Sequence, residues 1–260
     1  MSEPLKAWWW KKHANFGDAL TPHILAHVSG RKVAWEYSSD AEIISIGSVM
    51  EAVRNRVLEQ KTPVYVWGTG MMYPIERDFL DLAAISAVRG PITAGILELD
   101  DIAIGDPALL TNMVFDVGDV DVRYDVGIIA HWTHQDQALI EHLQSELSNA
   151  VFIPMQTTDV EETTRQIASC KIILSSSLHG LIVADSLGVP NFWLDTGSIH
   201  HNGRFKFFDY GLSVGRLLNK PYAAAEILKT GFPQINTHYF NGLDAIKKNI
   251  IAAFPQELAA

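Results

Sequence analysis

The sequence predicts an α/β protein with two lobes. Short apolar runs alternate with amphipathic stretches along most of its 260 residues, which is the pattern of βα units on a parallel sheet. Most of these apolar runs end in a polar or glycine-rich turn. An acidic segment without periodicity, Thr111–Arg123, separates two such series and is interpreted as a linker. We therefore expect two Rossmann-like lobes that face a cleft at the carboxyl ends of their strands.

Each series predicts its own set of strands and helices. In the first series the strands are expected near Leu5–Trp10, Ile43–Ile46, Val64–Trp67 and Ala84–Val88, with helices near Ala19–Val28, Ala52–Leu58 and Ile92–Leu97. In the second series the strands are expected at Val126–Ala130, Val151–Pro154, Lys171–Leu174 and Asn191–Leu194, with helices at Gln135–Leu147, Val160–Ala168 and Leu178–Leu187. Further helices are expected at Phe205–Leu212 and Asp244–Phe254. These patterns divide the chain into a lobe at 1–115, a lobe at 122–225 and a helical segment at 226–260.

The composition excludes several classes of protein. Hydrophobic residues make up 48% and charged residues 19%, which are ordinary values for a globular chain. A formal net charge of −10 argues against a general nucleic-acid binder, which needs a basic surface. No apolar run approaches the roughly 18 residues of a membrane span, and no signal sequence stands out, so the cytoplasm is the expected location.

Three serines and a histidine occupy the junction between a predicted strand and a predicted helix, at Ser175-Ser176-Ser177-Leu178-His179-Gly180. The free N–H groups of a helix's first turn favour an anion. A histidine at that place can exchange a proton near neutral pH. The alternative is that the serines only cap the helix and that His179 bonds a backbone carbonyl.

Other polar residues also follow predicted strands. Arg89, in Arg89-Gly90-Pro91, suits a bidentate contact to phosphate or carboxylate, although a surface ion pair is an equal alternative. The segment Asn15-Phe16-Gly17-Asp18 precedes a helix, where capping is the commoner role. Asp106, directly before Pro107, equally fits ordinary turn chemistry. The remaining candidates, several of which suit a loop or a solvated surface, are Gly68, His131, His134, His200, His201, Arg204 and Lys206.

Taken in order, seven segments resemble the motifs of the polysaccharide pyruvyl transferase family. They are Asn15-Phe16-Gly17-Asp18, Ser45-Ile46-Gly47-Ser48, Val66-Trp67-Gly68-Thr69-Gly70, Val88-Arg89-Gly90-Pro91, Gly105-Asp106-Pro107-Ala108-Leu109-Leu110, Ser175 to Gly180, and Lys206-Phe207-Phe208-Asp209-Tyr210. They span about residues 15 to 215. The sequence departs from the pattern at Ser177, where some relatives carry an arginine that helps to hold the donor.

The resemblance implies a fold like that of the GT-B glycosyltransferases, with phosphoenolpyruvate as donor substrate and no metal or other cofactor. A pair of sugar hydroxyls would accept the pyruvyl group as a ketal, during exopolysaccharide, capsule or cell-wall polymer synthesis. The lobe at 1–115 would face the acceptor, and the lobe at 122–225 would carry the donor-side Ser-Leu-His-Gly motif. The acceptor would be a sugar or a lipid-linked oligosaccharide, which leaves room for peripheral contact with a membrane-bound acceptor.

The resemblance also suggests roles for the candidate residues. His179 would be the acid or base, with His131 as a second candidate, and Asp18 and Asp106 would orient or deprotonate the acceptor. The donor clamps would be Arg89 and Lys206, and Arg204 or a histidine could supply the charge missing at Ser177. The other substrate-binding candidates are Asn15, Gly17, Gly68, Ser175, Ser176 and Ser177.

Two other functions remain open at this point. A glycosyltransferase that uses a nucleotide sugar would have the same lobes, since a fold does not determine a function. It is disfavoured because no acidic ribose-binding residue is evident late in the second lobe. A degenerate family member that only binds sugar or a partner protein is the second alternative, because Ser177 departs from the family pattern.

Overall fold

The structure, a computed structural model, describes residues 3–133, 136–196, 203–234 and 236–260. It contains two parallel β-sheets, each with helices packed against it, and so confirms the predicted α/β fold of two Rossmann-like lobes that face a cleft. A continuous apolar core runs from one lobe into the other, and each lobe has a second, smaller core on the outer side of its sheet.

The first lobe holds a six-stranded sheet. Its elements are β1 (Leu5–Trp8), α1 (Phe16–Ala19), α2 (Thr21–Ser29), β2 (Val33–Trp35), β3 (Ile43–Ile44), α3 (Met50–Gln60), β4 (Val64–Trp67), β5 (Ala83–Val88), α4 (Pro91–Leu97), β6 (Ala103–Ile104) and α5 (Thr111–Val114). The strand order is β2-β1-β3-β4-β5-β6, and all neighbours are parallel.

The second lobe holds a five-stranded sheet. Its elements are β7 (Tyr124–Ile129), α6 (Gln137–Glu146), β8 (Ala150–Phe152), α7 (Val160–Ala168), β9 (Cys170–Ser175), α8 (Leu178–Ser186), β10 (Asn191–Asp195), α9 (Phe205–Ser213), β11 (Tyr222–Ala223) and α10 (Ala224–Thr230), followed by α11 (Phe240–Ala252). The strand order is β11-β10-β9-β7-β8, again with parallel neighbours.

In both sheets the order of the strands reverses at the first strand, because the second and third strands lie on opposite sides of it. In the first lobe the chain adds β2 on one side of β1 and then β3 on the other. In the second lobe β8 and β9 flank β7 in the same way. The loops that follow the two central strands at such a reversal diverge and leave a crevice where ligands bind. The topology therefore indicates a site at the loops after β1 and β3 in one lobe and after β7 and β9 in the other.

The structure differs from the sequence-based expectation mainly at short elements. The sequence does not predict β2, β6, β11 or α10, because two- or three-residue strands and a seven-residue helix carry too little periodicity. The prediction of an irregular linker at Thr111–Arg123 is wrong for its first four residues, because they form the helix α5. There the buried Thr111 hydroxyl donates to the Ala108 carbonyl at 2.7 Å, so the preceding turn continues as a helix. The helix expected at Ala19–Val28 is divided at Leu20.

The last helix packs mainly against the first lobe, and it also reaches the second through a hydrogen bond from Lys247 to the Ser186 carbonyl at 3.4 Å. Trp67 Nε1 donates to the Ile250 carbonyl at 2.9 Å, and the Trp67 ring meets Phe254 edge-on at 5.1 Å. The backbone amide of Ala260 donates to the Ser29 carbonyl at 2.8 Å. The chain thus crosses from the second lobe back to the first, and this crossing ties the two lobes together.

A buried ion pair makes the second link between the lobes. Arg89, at the end of β5, donates from Nε to Asp209 Oδ2 on α9 at 3.2 Å, and neither side chain is exposed. Asp209 also accepts from the Thr93 backbone amide at 2.9 Å and from the Thr93 hydroxyl at 2.7 Å. Gly90 permits this approach, since a Cβ there would overlap Asp209. The pair therefore joins α9 to the N-terminus of α4.

Replacing Asp209 by alanine should lower the free energy of unfolding by about 3–5 kcal/mol, because it leaves the Arg89 guanidinium buried without its counter-charge. Urea denaturation would measure the change. The matched control is Asp119→Ala, which breaks the exposed pair of Asp119 with Arg165 and should cost less than about 1 kcal/mol. Equal losses in the two variants would contradict this account of the interlobe pair.

Candidate active site

The carboxyl ends of the two sheets enclose a cleft of about 320 Å³. Its lining comes from the loops that the topology indicates, joined by the loop after β4 and the first turn of α9. The lining residues are Trp10, Asn15, Asp18, Gly47, Ser48, Val49, Met72, His131, Trp132, Ser177, Leu178, His179 and Lys206. A volume in this range suits a small ligand.

His179, the second residue of α8, lies in the cleft against the opposite lobe. Its Nε2 atom is buried and has no hydrogen-bond partner among the described residues. Its ring packs on the backbone of Gly17, where a Cβ would overlap the imidazole, so this position requires glycine. Burial, with the nearby charges of Lys206 and Arg89, lowers the pKa of His179 to about 3. The imidazole is therefore neutral near pH 7.

Asp18 faces the same cleft from α1. Asn15 caps this helix, as predicted, because its side-chain oxygen accepts from the Gly17 amide at 3.3 Å. The Asn15 amide group donates to Asp18 Oδ2 at 2.5 Å. Burial raises the pKa of Asp18 to about 7, although the Asn15 hydrogen bond and the Lys206 charge oppose the shift. A large fraction of this carboxyl is thus protonated at neutral pH.

Lys206 brings a positive charge into the cleft from the first turn of α9. Its side chain is buried, yet it forms no ion pair within the described part of the chain. Burial and the neighbouring charge of Arg89 lower the pKa of Lys206 to about 8, while Asp18 opposes the shift. A buried ammonium without a counter-ion is costly, and an anionic ligand would relieve that cost.

The N-terminus of α8 opens into the cleft beside Lys206. Ser177 occupies the N-cap position in an extended conformation, but its hydroxyl makes no capping hydrogen bond and lines the cleft instead. The first amides of a helix have no partner within the helix. They add donors and a partial positive charge to the site.

The other two serines of the motif have structural roles. The Ser175 hydroxyl donates to the Ser177 carbonyl at 2.8 Å and accepts from the Ser177 amide at 3.0 Å. The Ser176 hydroxyl accepts from the His131 amide at 2.8 Å. Both side chains are fully buried and outside the cleft lining, so Ser175 and Ser176 are not placed where the predicted direct contact with substrate would need them. They shape the loop that presents Ser177 and His131.

His131 lies on the second lobe's side of the cleft, directly after β7. Its Nδ1 atom lies 2.8 Å from the Thr133 hydroxyl and accepts from the Thr133 amide at 3.3 Å. Accepting at Nδ1 favours the tautomer whose proton is on Nε2. The structure therefore brings His131 to the site together with His179, Asp18 and Lys206.

Arg89 does not line the cleft. Its guanidinium is completely buried and donates to Asp209, to Ser48 Oγ at 2.5 Å and to the Met71 carbonyl at 2.8 Å. These contacts use the side chain to hold the loops after β3 and β4, so a direct clamp on the donor does not fit its position. Arg89 acts on the site through its charge and through these loops.

Three further candidates lie away from the cleft. Asp106 Oδ1 accepts from the Ala108 amide at 3.0 Å, so this residue caps a turn, and burial raises the pKa of its carboxyl to about 6. Gly68 packs against Pro107, where a Cβ would overlap the proline ring. Arg204 is exposed at the start of α9. None of these three lines the cleft, and His134, His200 and His201 lie outside the described residues.

The sequence does not single out Trp132, Ser48 or Asp209 as site residues, and for the Trp8–Trp10 cluster it leaves contact with sugar or lipid and packing in the core as open alternatives. Trp10 lies two residues after the end of β1, and Trp132 lies three residues after the end of β7. Ser48 and Asp209 belong to segments that resemble family motifs, and this was the signal that could have identified them. Their contacts with Arg89 depend on the approach of the two lobes, which sequence alone does not give.

Two further observations concern metals and membranes. Within the described ranges, no group of three or more His, Cys, Asp and Glu side chains is arranged to hold a metal ion. None of the described helices combines the length and the apolar character needed to cross a bilayer.

Known proteins share sequence with most of this chain. The chain is 30% identical over 212 residues to the uncharacterized protein L143 of Acanthamoeba polyphaga mimivirus, an alignment that covers 78% of this chain and 71% of that one. It is 26% identical over 219 residues to the succinoglycan biosynthesis protein ExoV of Rhizobium meliloti (strain 1021), with 81% and 65% covered.

A solved structure of the uncharacterized protein KP1_0663 from Klebsiella pneumoniae subsp. pneumoniae NTUH-K2044 is 14% identical and superposes with a TM-score of 0.47, covering 80% of this chain and 88% of that one. The model of the polysaccharide pyruvyl transferase family matches residues 15–198, a range that includes every lining residue of the cleft except Trp10 and Lys206. The chain belongs to the polysaccharide pyruvyl transferase family.

Proposed function

We propose that this protein transfers the pyruvyl group of phosphoenolpyruvate to two hydroxyls of a saccharide, forming a ketal during polysaccharide synthesis. The observation that carries the proposal is the buried ammonium of Lys206, which has no ion pair within the described residues and shares one cleft with Asp18 and His179. In a chain of net charge −10, a cation placed in this way favours a small, strongly anionic ligand.

The two anionic groups of phosphoenolpyruvate suit the polar groups around the cleft. Lys206 would neutralise one anion, and the free amides at the start of α8 with the Ser177 hydroxyl would bind the other. The charge of Arg89, which lies behind the residues that line the cleft, adds positive potential without touching the ligand. This combination takes the place of the arginine that some relatives carry at position 177.

The chemistry requires an acid and a base, because ketal formation moves two protons. The donor's methylene carbon gains one proton and becomes a methyl group, the two acceptor hydroxyls form bonds to C2 in turn, and the C2–O bond to phosphate breaks. The hydroxyls release two protons, of which one balances the proton given to the methylene carbon and the other leaves on the phosphate. No oxidant, reductant or additional cofactor is needed for this balance.

Asp18 and His179 suit these two roles. With a pKa of about 7, the Asp18 carboxyl can give a proton to the methylene carbon at neutral pH. His179 is neutral in the cleft, because burial and the charges of Lys206 and Arg89 lower its pKa. A bound anionic donor would offset these charges and raise that pKa toward neutrality, so that His179 can take the proton of an attacking hydroxyl. Asp18 is thereby the acid rather than the acceptor's base, and His131 remains a second proton-transfer group at the opposite wall.

The family membership and the name of the Rhizobium relative support a place in polysaccharide biosynthesis. We extend this to exopolysaccharide, capsule or cell-wall polymer assembly, with a sugar or a lipid-linked oligosaccharide as acceptor. Since phosphoenolpyruvate is made in the cytoplasm, the proposed reaction takes place there.

The direct test incubates the purified protein with phosphoenolpyruvate and a panel of glycosides and measures phosphate release and the mass of the sugar. The proposal expects acceptor-dependent phosphate release with a pyruvyl-sized mass gain. Binding of a nucleotide sugar in a thermal-shift assay, with no binding of phosphoenolpyruvate, would instead favour a glycosyltransferase. A ligand at about 100 times its Kd stabilises a protein by about 2.7 kcal/mol, which such an assay detects.

Replacing His179 by alanine should lower kcat by about 10²–10⁴ while the protein stays folded, because the attacking hydroxyl loses its base. Steady-state phosphate release measures the change, and circular dichroism checks the fold. His142→Ala, at an exposed histidine of α6, is the matched control and should keep kcat within about twofold. An H179A variant with kcat within a few-fold of the wild-type value would rule out this role.

Replacing Asp18 by asparagine should stabilise the protein, and increasingly so between about pH 4 and about pH 7. The native carboxyl keeps its proton to about pH 7, whereas the unfolded one ionises near its ordinary value of 3.8. Stability therefore falls in this interval as the pH rises, by on the order of 2–4 kcal/mol. Urea denaturation at several pH values measures the difference from wild type, with the exposed Asp100→Asn as control. A difference that does not change with pH would show that Asp18 ionises normally.

A further inference from the structure

The mouth of the cleft is unusually rich in tryptophan. Five of the seven tryptophans in the chain, which we name the aromatic rim, line the cleft or the depressions beside it. They are Trp8, Trp9, Trp10, Trp35 and Trp132. The other two, Trp67 and Trp193, are buried in the core. Trp10 is 39% exposed, so packing in the core does not account for its position.

Trp10 connects the cleft to its surroundings. It lines the cleft, a depression of about 450 Å³ between the lobes and another of about 470 Å³ on the first lobe. The interlobe depression also shares Asn15 with the cleft, and its far wall includes Thr158 of the second lobe. A ligand that reaches Asp18 can thus continue over the Trp10 ring into this depression.

Contacts between neighbours hold the rim in place. Trp35 Nε1 donates to the Trp9 carbonyl at 3.0 Å, and the Lys11 ammonium lies 5.1 Å from the centre of the Trp35 ring. His13 stacks on Trp132 at 5.3 Å, joining the loops of the two lobes. A surface that is ordered before binding loses less entropy when a ligand arrives.

The mixture of groups around the interlobe depression suits a saccharide. Pyranose rings have a C–H face that packs on an indole ring, and hydroxyl edges that bond to polar side chains. Trp9 and Trp10 offer the first kind of contact, and Lys11, His13 and Asn15 offer the second. A lipid surface would need a continuous apolar patch, which these polar side chains interrupt.

We infer that Trp10 and the interlobe depression form an acceptor subsite, which binds the sugar unit next to the one that reacts. The protein would then select a glycan chain over a single sugar. This inference rests on the proposed function for one point only, that the neighbouring sugar unit is the one that receives the pyruvyl group. Binding of saccharide at the subsite can be measured without phosphoenolpyruvate. The family assignment supports a polysaccharide ligand but does not identify this subsite.

The test measures saccharide binding to the full chain in the absence of phosphoenolpyruvate. Saturation-transfer NMR would compare methyl glycosides with disaccharides and trisaccharides of gluco, galacto and manno configuration at millimolar concentration. In at least one series, the wild-type protein should bind the trisaccharide roughly tenfold more tightly than the methyl glycoside. Trp10→Ala should abolish this gain, and Trp10→Phe should keep most of it.

The matched control is Tyr73→Ala, at an aromatic residue of the same lobe that is 36% exposed and lines neither the cleft nor the two depressions. It should leave the preference for longer chains unchanged, and thermal melting would check that every variant folds. If Trp10→Ala does not fold, Trp10→Gln replaces it in the same comparison.

Several results would overturn the inference. The first is a Trp10→Ala variant that still binds the trisaccharide more tightly than the methyl glycoside. The second is a wild-type protein that shows no such preference in any of the three series. The third is Trp10-dependent binding to anionic vesicles without any binding of saccharide. If the preference depends on Trp10 but phosphoenolpyruvate does not bind, the acceptor subsite stands and the proposed reaction fails.

Discussion

The buried ion pair between Arg89 and Asp209 is the constraint on which the cleft depends. Asp209 lies three residues after Lys206 on α9, so the contact that ties this helix to the first lobe also fixes the turn from which Lys206 enters the cleft. The same guanidinium holds the loops after β3 and β4 through Ser48 and Met71. Its charge also helps to lower the pKa values of Lys206 and His179. One buried arginine therefore sets both the geometry and the electrostatics of the site.

The two sheets have matching topologies, and this explains why one cleft collects side chains from distant parts of the sequence. Each lobe reverses beside its first strand, so the loops after β1 and β7 open toward each other. Asp18 comes from one opening and His131 from the other, while His179 and Lys206 complete the second lobe's side. The acid, the base and the cation assigned in the proposed reaction come from the first turns of three different helices, α1, α8 and α9, so their arrangement requires both lobes.

The sequence predicts the fold well where elements are long, because seven of the eight predicted strands overlap an observed strand of three or more residues. It also identifies Asp18, His179, Lys206 and Ser177 as residues of the site, since polar residues after buried strands reach the same edge of a sheet. It assigns Arg89, Asp106, Ser175 and Ser176 to direct contacts that the structure does not show. The same polar residues occur in a turn that hydrogen-bonds to its own backbone and in a turn that binds a ligand. Only the tertiary contacts show which of the two roles a turn has. The pKa values of Asp18 and His179 likewise depend on burial between the lobes.

The affinity for phosphoenolpyruvate as a function of pH tests the central claim most directly, that Lys206 beside Asp18 is the cation that binds the donor. Calorimetry from about pH 7 to about pH 9.5 would give Kd at each value. Above about pH 8 Lys206 loses its charge, and above about pH 7 Asp18 gains one, so both changes weaken anion binding as the pH rises. The account predicts a Kd that increases about tenfold per pH unit above pH 8, and a much smaller increase in Lys206→Met. A wild-type Kd that stays constant across this range would contradict it.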